Sequence, residues 1–259
     1  MNSDIVITSD STTDLSPELK ERYGIEICPL GVTLGGKTYI DGVDITPDDI
    51  YAHHDKTGEL PKTSATNVGE CLDFFRKFTE SGKTVIHFTI SSEMSSTYAN
   101  ACLAAEELEN VYVINTENLS TGGGLLVVAA AQMREDGLSA EEIVEKTKAL
   151  VPCVDASFVI DSLEYLYKGG RCSALAMFGA NLLKLKPCIQ VKNGKMDVAK
   201  KYRGKYDEVL KQYIREKVTE CLEPYMYPVD IIELEERPFF HFKTNRIGLT
   251  NDILNGKFE

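Results

Sequence analysis

The chain has 259 residues, 43% of them hydrophobic and 26% charged, which excludes wholesale disorder and leaves room for one large domain or two modest ones. No apolar run approaches the ~20 residues of a membrane span, and a formal net charge of −12 argues against generic nucleic-acid binding. The N-terminal MNSDIVITSDSTTD lacks a basic n-region and a cleavage site. A cytoplasmic setting with reduced thiols is therefore expected for its seven cysteines. None of these forms a CxxC pair, and the histidines at 53, 54, 87 and 241 form no HExxH, so no metal site is expected. Charge is unevenly spread. Residues 1–150 carry 11 basic and 25 acidic side chains, whereas residues 168–217 carry 13 basic and 4 acidic ones. That second stretch reads either as a solvated surface or as a basic face for an anion or an acidic partner.

In chain order, DIVIT at 4–8 reads as a strand and SPELKERY at 16–23 as a helix, with Ser16 as N-cap and Pro17 in the first turn. Residues 25–34 read as one further strand, followed by a hairpin turning at Gly35-Gly36. Thr46-Pro47-Asp48-Asp49 opens a helix to about 55. Residues 62–67 read as a loop before an amphipathic helix at 68–81, with Val68, Cys71, Leu72, Phe75 and Phe78 on one side. A strand at 84–90, a helix at 96–108, a strand at 111–114 and helices at 123–135 and 139–150 complete the first half. Ser139 and Glu142 have the spacing of a capping box.

This alternation predicts an α/β domain over 1–150 with a mostly parallel sheet. Beyond Val151-Pro152 a second α/β domain over 151–259 is expected. It contains a strand near 157–160, a short helix at 161–167, an apolar helix near 174–183, a hairpin at 187–199 around Asn193-Gly194 and a helix at 204–222.

Four segments carry candidate chemistry. Thr8–Asp14 follows a strand, where open α/β sheets place their ligands. Lys62–Asn67 and Ser91–Thr97 each precede a helix, whose unpaired N–H groups and positive dipole end suit an anion once hydroxyls stand beside them. Helix capping accounts for any one of these loops alone. Gly169-Gly170-Arg171 allows a tight turn that projects a guanidinium able to bind a carboxylate, or simply ends a helix. Gly122-Gly123-Gly124 either touches a phosphate or packs a helix closely. No GxSxG, GxxxxGK[ST] or GxGxxG occurs. A hydrolase using Ser91 or Ser95 has only His87 nearby as a base, and a histidine inside a strand reads first as a core residue.

Taken together, DSTTDLS at 10–16, KTSAT at 62–66, ISSEMSSTY at 90–98, NTENLSTGGG at 115–124 and LEYLYKGGR at 163–171 follow a specific order and spacing. With LLKLKPCIQVKNGKM at 182–196 and KKYRG at 200–204, they resemble the DegV family, the fatty acid-binding proteins of which FakB is the functional type. The resemblance implies a two-domain fold with one long-chain fatty acid in an apolar tunnel between or beside the domains. It implies no catalytic residue and no cofactor other than that ligand. Thr63 and Ser95 match the positions that hold the carboxylate, Arg171 and Arg203 the basic residues near it, and Ser92 is a further candidate. It also implies a partner, a separate fatty acid kinase that makes acyl-phosphate for phospholipid synthesis, with 168–217 as a kinase-docking face or a phosphate-neutralising surface.

Elementary energetics agree. Each buried CH₂ contributes about 0.8 kcal/mol, so a sixteen-carbon chain gains on the order of 10 kcal/mol before binding costs. Its buried carboxylate must then be matched by hydrogen bonds or charge, or it protonates. The apolar helices at 123–133 and 174–183, with Met177 and Phe178, are candidate tunnel walls or ordinary core. The alternative reading is a binding protein for another small carboxylate or phosphate metabolite, which needs the same hydroxyls but a short polar pocket. Three features depart from the family. Ser96 stands where it usually has glycine, its His-x-Gly-Pro-Gly motif is missing, and the segment after about residue 220, with His241, does not resemble it.

Overall fold

The computed structural model of the chain describes residues 4–161, 163–172 and 185–222. The helix expected at 174–183, with Met177 and Phe178, and the tail with His241 lie outside the described residues.

The first half is built on a four-stranded parallel sheet. Its strands are β1 (Ile5–Asp10), β2 (Glu26–Cys28), β6 (Thr84–Thr89) and β7 (Val111–Asn115), in the order β2-β1-β6-β7. Every residue of β1 is buried, as a central strand covered on both faces must be. Alternation along β6 sends side chains to two separate cores. Val85 packs with Cys71, Phe74 and Phe75 of α3 (Val68–Thr79) and with Ala101 and Ala104 of α4 (Thr97–Glu106). On the other face, Ile86 and Phe88 pack with Leu126, Val127 and Ala130 of α5 (Ser120–Glu135) and Ile143 of α6 (Ala140–Leu150). Burial of each such side chain contributes about 1.5–3 kcal/mol.

Local signals set several helix ends. Ser16 caps α1 (Pro17–Tyr23) by accepting the Leu19 N–H, and Thr46 and Asp49 form a capping box at α2 (Pro47–Thr57). Ser139 and Glu142 do the same at α6. A second sheet, antiparallel in the order β4-β3-β5, is formed by β3 (Gly31–Leu34), β4 (Lys37–Ile40) and β5 (Lys62–Ser64). The β3–β4 turn is Gly35-Gly36, both at positive φ (57° and 76°), the backbone of a tight hairpin.

A third, also antiparallel, has the order β10-β9-β8, with β8 (Ala156–Val159), β9 (Lys186–Lys192) and β10 (Lys195–Tyr202). The helices α7 (Glu164–Gly169) and α8 (Tyr206–Leu222) accompany it. Its hairpin turns at Asn193-Gly194, with φ of 51° and 74°. Among the described residues, no helix is long and apolar enough to cross a membrane.

Four elements differ from the sequence expectation, one of them α5, which begins at Ser120 rather than at 123. Residues 25–34 are two strands on two sheets, because Pro29 has no N–H to give a ladder and the Leu30 N–H is taken by Ser11 Oγ at 3.2 Å. Residues 62–64 are a strand, whose pairing of Thr63 with Val32 is set at long range. The short helix begins at Glu164, after Leu163 has been buried in the core of the third sheet.

Candidate functional site

The order β2-β1-β6-β7 contains one reversal of direction. From β1 the chain steps outward through α1 to β2, and from β6 it steps the other way through α4 to β7. The crevice beyond the carboxyl ends of β1 and β6 is thus the switch point, where open α/β sheets bind ligands. The loops leaving those two ends are the serine- and threonine-rich segments 10–14 and 90–96.

Asp10 joins the two ends. It is wholly buried, and its Oδ2 accepts the Ile90 N–H at 2.7 Å. Its Oδ1 accepts the Thr12 N–H at 3.0 Å and the Thr12 hydroxyl at 2.6 Å. Burial nevertheless pushes its pKa up, outweighing these three donors. Sequence reasoning missed this role, although a carboxylate ending a buried apolar strand is a legible signal.

The 90–96 loop is held on every side. Asn115 on β7 accepts the Ser92 N–H at 3.2 Å and donates to the Ser92 hydroxyl at 2.9 Å. The Ser95 hydroxyl accepts the Thr97 N–H at 3.2 Å and lies 2.9 Å from Thr97 Oγ1. Ser96, the N-cap of α4, makes no side-chain cap bond. Ser95 therefore sits at the positive end of α4.

Thr63 lies exposed on β5, and its segment is drawn to α4 by Asn100, whose amide donates to the Thr66 carbonyl at 2.9 Å. The Thr63 segment and α4, which Ser95 precedes, are thus tied by one bond. The N-terminus of α3, by contrast, is filled by its own capping box of Asn67 and Glu70. It offers an anion less than the sequence suggested, whereas the N-cap residue of α4, Ser96, leaves its own hydroxyl out of the cap.

Arg171 is exposed on the turn after α7, and its Nη1 donates to the Gly169 carbonyl at 2.7 Å. The first residues of α7 touch α2. Tyr51 meets Tyr165 edge-on at 6.0 Å, and His54 Nε2 lies 3.7 Å from a Glu164 oxygen. Arg203 is exposed beyond the end of β10. The contacts described above tie the segment just after Thr63 to α4, the helix that follows Ser95. They hold Ser92 on the β7 side and set the two arginines on elements of the second half.

The glycine run serves packing. A Cβ on Gly122 would lie 2.1 Å from Asn118 Oδ1, and one on Gly124 would lie 2.8 Å from the Thr13 carbonyl oxygen. His87 and Ser91 do not form a base–nucleophile pair. His87 is fully buried against Phe75, with Nδ1 2.8 Å from the Thr8 hydroxyl and Nε2 unpartnered. Burial holds its pKa down to about 3. The Ser91 hydroxyl instead donates to the Gly194 carbonyl at 2.7 Å.

Fold and site together define an α/β protein with hydroxyl-rich loops at the switch point of a parallel sheet. Residues 4–226 match the family described as "Uncharacterised protein, DegV family". A DegV domain-containing protein of Clostridium acetobutylicum is 38% identical over 202 residues, 77% of this chain and 72% of the relative. The chain belongs to the DegV family.

Solved structures agree. One described as the fatty acid binding of a DegV family protein from Thermus thermophilus has a TM-score of 0.75 at 31% identity, covering 83% of this chain and 78% of that one. A stearic acid-binding protein from Eubacterium ventriosum has a TM-score of 0.73 at 34% identity, with the same coverage of 83% and 78%. DegV of Bacillus subtilis, described as a fatty acid binding protein, has a TM-score of 0.73 at 28% identity over 84% of this chain and 79% of that one.

Proposed function

We propose that this protein binds one long-chain fatty acid, with the carboxylate at the hydroxyl cradle and the acyl chain in an apolar tunnel. Thr63 and Ser95 hold the carboxylate, with Ser92, Arg171 and Arg203 around it. The observation that supports this reading is the bond from Asn100 of α4 to the carbonyl of Thr66, three residues after Thr63. Likeness to solved DegV proteins described as fatty acid-binding supports the ligand class. A carboxylate suits this place because hydroxyls and a helix end replace its lost hydration.

In the same proposal the protein is no enzyme by itself. It works in the cytoplasm and presents the carboxylate to a separate fatty acid kinase, which makes acyl-phosphate for phospholipid synthesis. The basic stretch 168–217 supports a docking role, since exposed Lys192, Lys201 and Lys205 stand on it. The division into domains at 1–150 and 151–259 belongs to this proposal too.

Native mass spectrometry of the purified protein, followed by lipid extraction, tests the ligand. One fatty acid per chain is expected. A protein that stays lipid-free after incubation with fatty acids of several lengths refutes the reading and favours another small anion.

A further inference from the structure

We infer that Ser91 is a positioning residue for the carboxylate site and acts through a joint with the Asn193-Gly194 turn; this rests on the fatty acid reading above. Ser91 has no exposed surface. Its hydroxyl donates to the Gly194 carbonyl at 2.7 Å and accepts the Glu93 N–H at 3.2 Å. Its own N–H donates to the Asn118 carbonyl at 2.9 Å, and its carbonyl accepts the N–H groups of Met94 at 3.0 Å and Ser95 at 3.2 Å. One residue thus connects the α5 approach, the tip of the second-half hairpin and the main chain of Ser95.

The hairpin side is built to match. Gly194 has a φ of 74°, and a Cβ there would lie 2.6 Å from Ser91 Oγ. Only glycine therefore satisfies both the turn and the contact. Met94, two residues before Ser96, is buried with Ile189, Val191 and Met196 in the core of the β8–β10 sheet. Lys195 and Glu93 add an ion pair at 3.0 Å, with the two side chains 68% and 48% exposed, so it contributes little. The head-group loop is accordingly fixed by the second half of the molecule as much as by β6.

Fixing the Ser95 main chain fixes where its hydroxyl meets a head group. Loosening the joint therefore erodes the preference for a carboxylate over a neutral head group while sparing the apolar part of binding. The test compares wild type, Ser91→Ala, Gly194→Ala and Lys195→Ala in competition between palmitate and hexadecanol, read by native mass spectrometry beside thermal unfolding. Wild type is expected to prefer palmitate. Ser91→Ala and Gly194→Ala are expected to lower that preference about tenfold, the worth of roughly one charge-assisted hydrogen bond, with hexadecanol binding unchanged. Lys195→Ala is expected to leave the preference intact.

An unchanged preference in Ser91→Ala and Gly194→Ala overturns the inference and leaves the fatty acid reading standing. So does an equal loss of both ligands, because a purely structural role acts on both alike. If Ser91→Ala does not fold, Gly194→Ala decides by the same ratio. A wild type with no preference for palmitate overturns the carboxylate reading and this inference with it.

Discussion

Replacing His87 by glutamine separates a core histidine from a catalytic one. The ring is fully buried, with centroids 5.0 Å from Phe75 and 6.2 Å from Phe74, and burial lowers its pKa from 6.5 to about 3. The unfolded chain takes up this proton near the ordinary value, whereas the folded chain does not until about pH 3. Between those values the unfolded state binds more protons. The stability held by neutral His87 is therefore complete above about pH 6.5 and is lost as pH falls toward about 3.

One proton is worth about 1.4 kcal/mol per pH unit where the unfolded histidine is fully protonated, so roughly 2 kcal/mol is lost between about pH 6.5 and about pH 4.5. Glutamine keeps a polar side chain opposite Thr8 but does not titrate. Near neutral pH His87→Gln is expected to be less stable by about 1–2 kcal/mol through the altered bond to Thr8. Near pH 4.5 the order reverses. Urea unfolding of both proteins across this range measures the difference, in which carboxylates common to both cancel. A constant offset between the two proteins at every pH refutes the reasoning. A ring that stays neutral so far below its usual range is a poor general base, which is why Ser91 and Ser95 are read as binding and positioning groups.

The remaining predictions concern packing and the site. Gly124→Ala places a Cβ 2.8 Å from the Thr13 carbonyl oxygen; thermal unfolding is expected to show a loss of about 1–3 kcal/mol, and an unchanged midpoint contradicts the close approach of α5. Ser95→Ala and Thr63→Ala are each expected to weaken fatty acid binding about tenfold with the fold intact, and unchanged affinity in both variants removes them from the carboxylate site. Lys201→Glu with Lys205→Glu is expected to lower acyl-phosphate formation with the kinase more than fatty acid binding, and equal loss of both argues against docking at this face.

The chain's local chemistry determined much of this protein. Ser16, Thr46, Asn67 and Ser139 each cap the helix they precede, and Gly35-Gly36 and Asn193-Gly194 each turn a hairpin. These features act within a few residues, so their signatures are contiguous. The order of the hydroxyl motifs was equally legible and carried the family resemblance. Tertiary structure alone decided what those motifs touch. The strand at 62–64 exists because Thr63 pairs with Val32, and the split at Pro29 sends one apolar run to two sheets. The bonds from Asp10 to Ile90, Asn100 to Thr66 and Ser91 to Gly194 span 80, 34 and 103 positions. A hydrogen bond needs its partners within about 3 Å but sets no limit on their separation along the chain. The hydroxyl motifs are therefore visible in the sequence, whereas the contacts that hold them in place emerge only when the chain closes on itself.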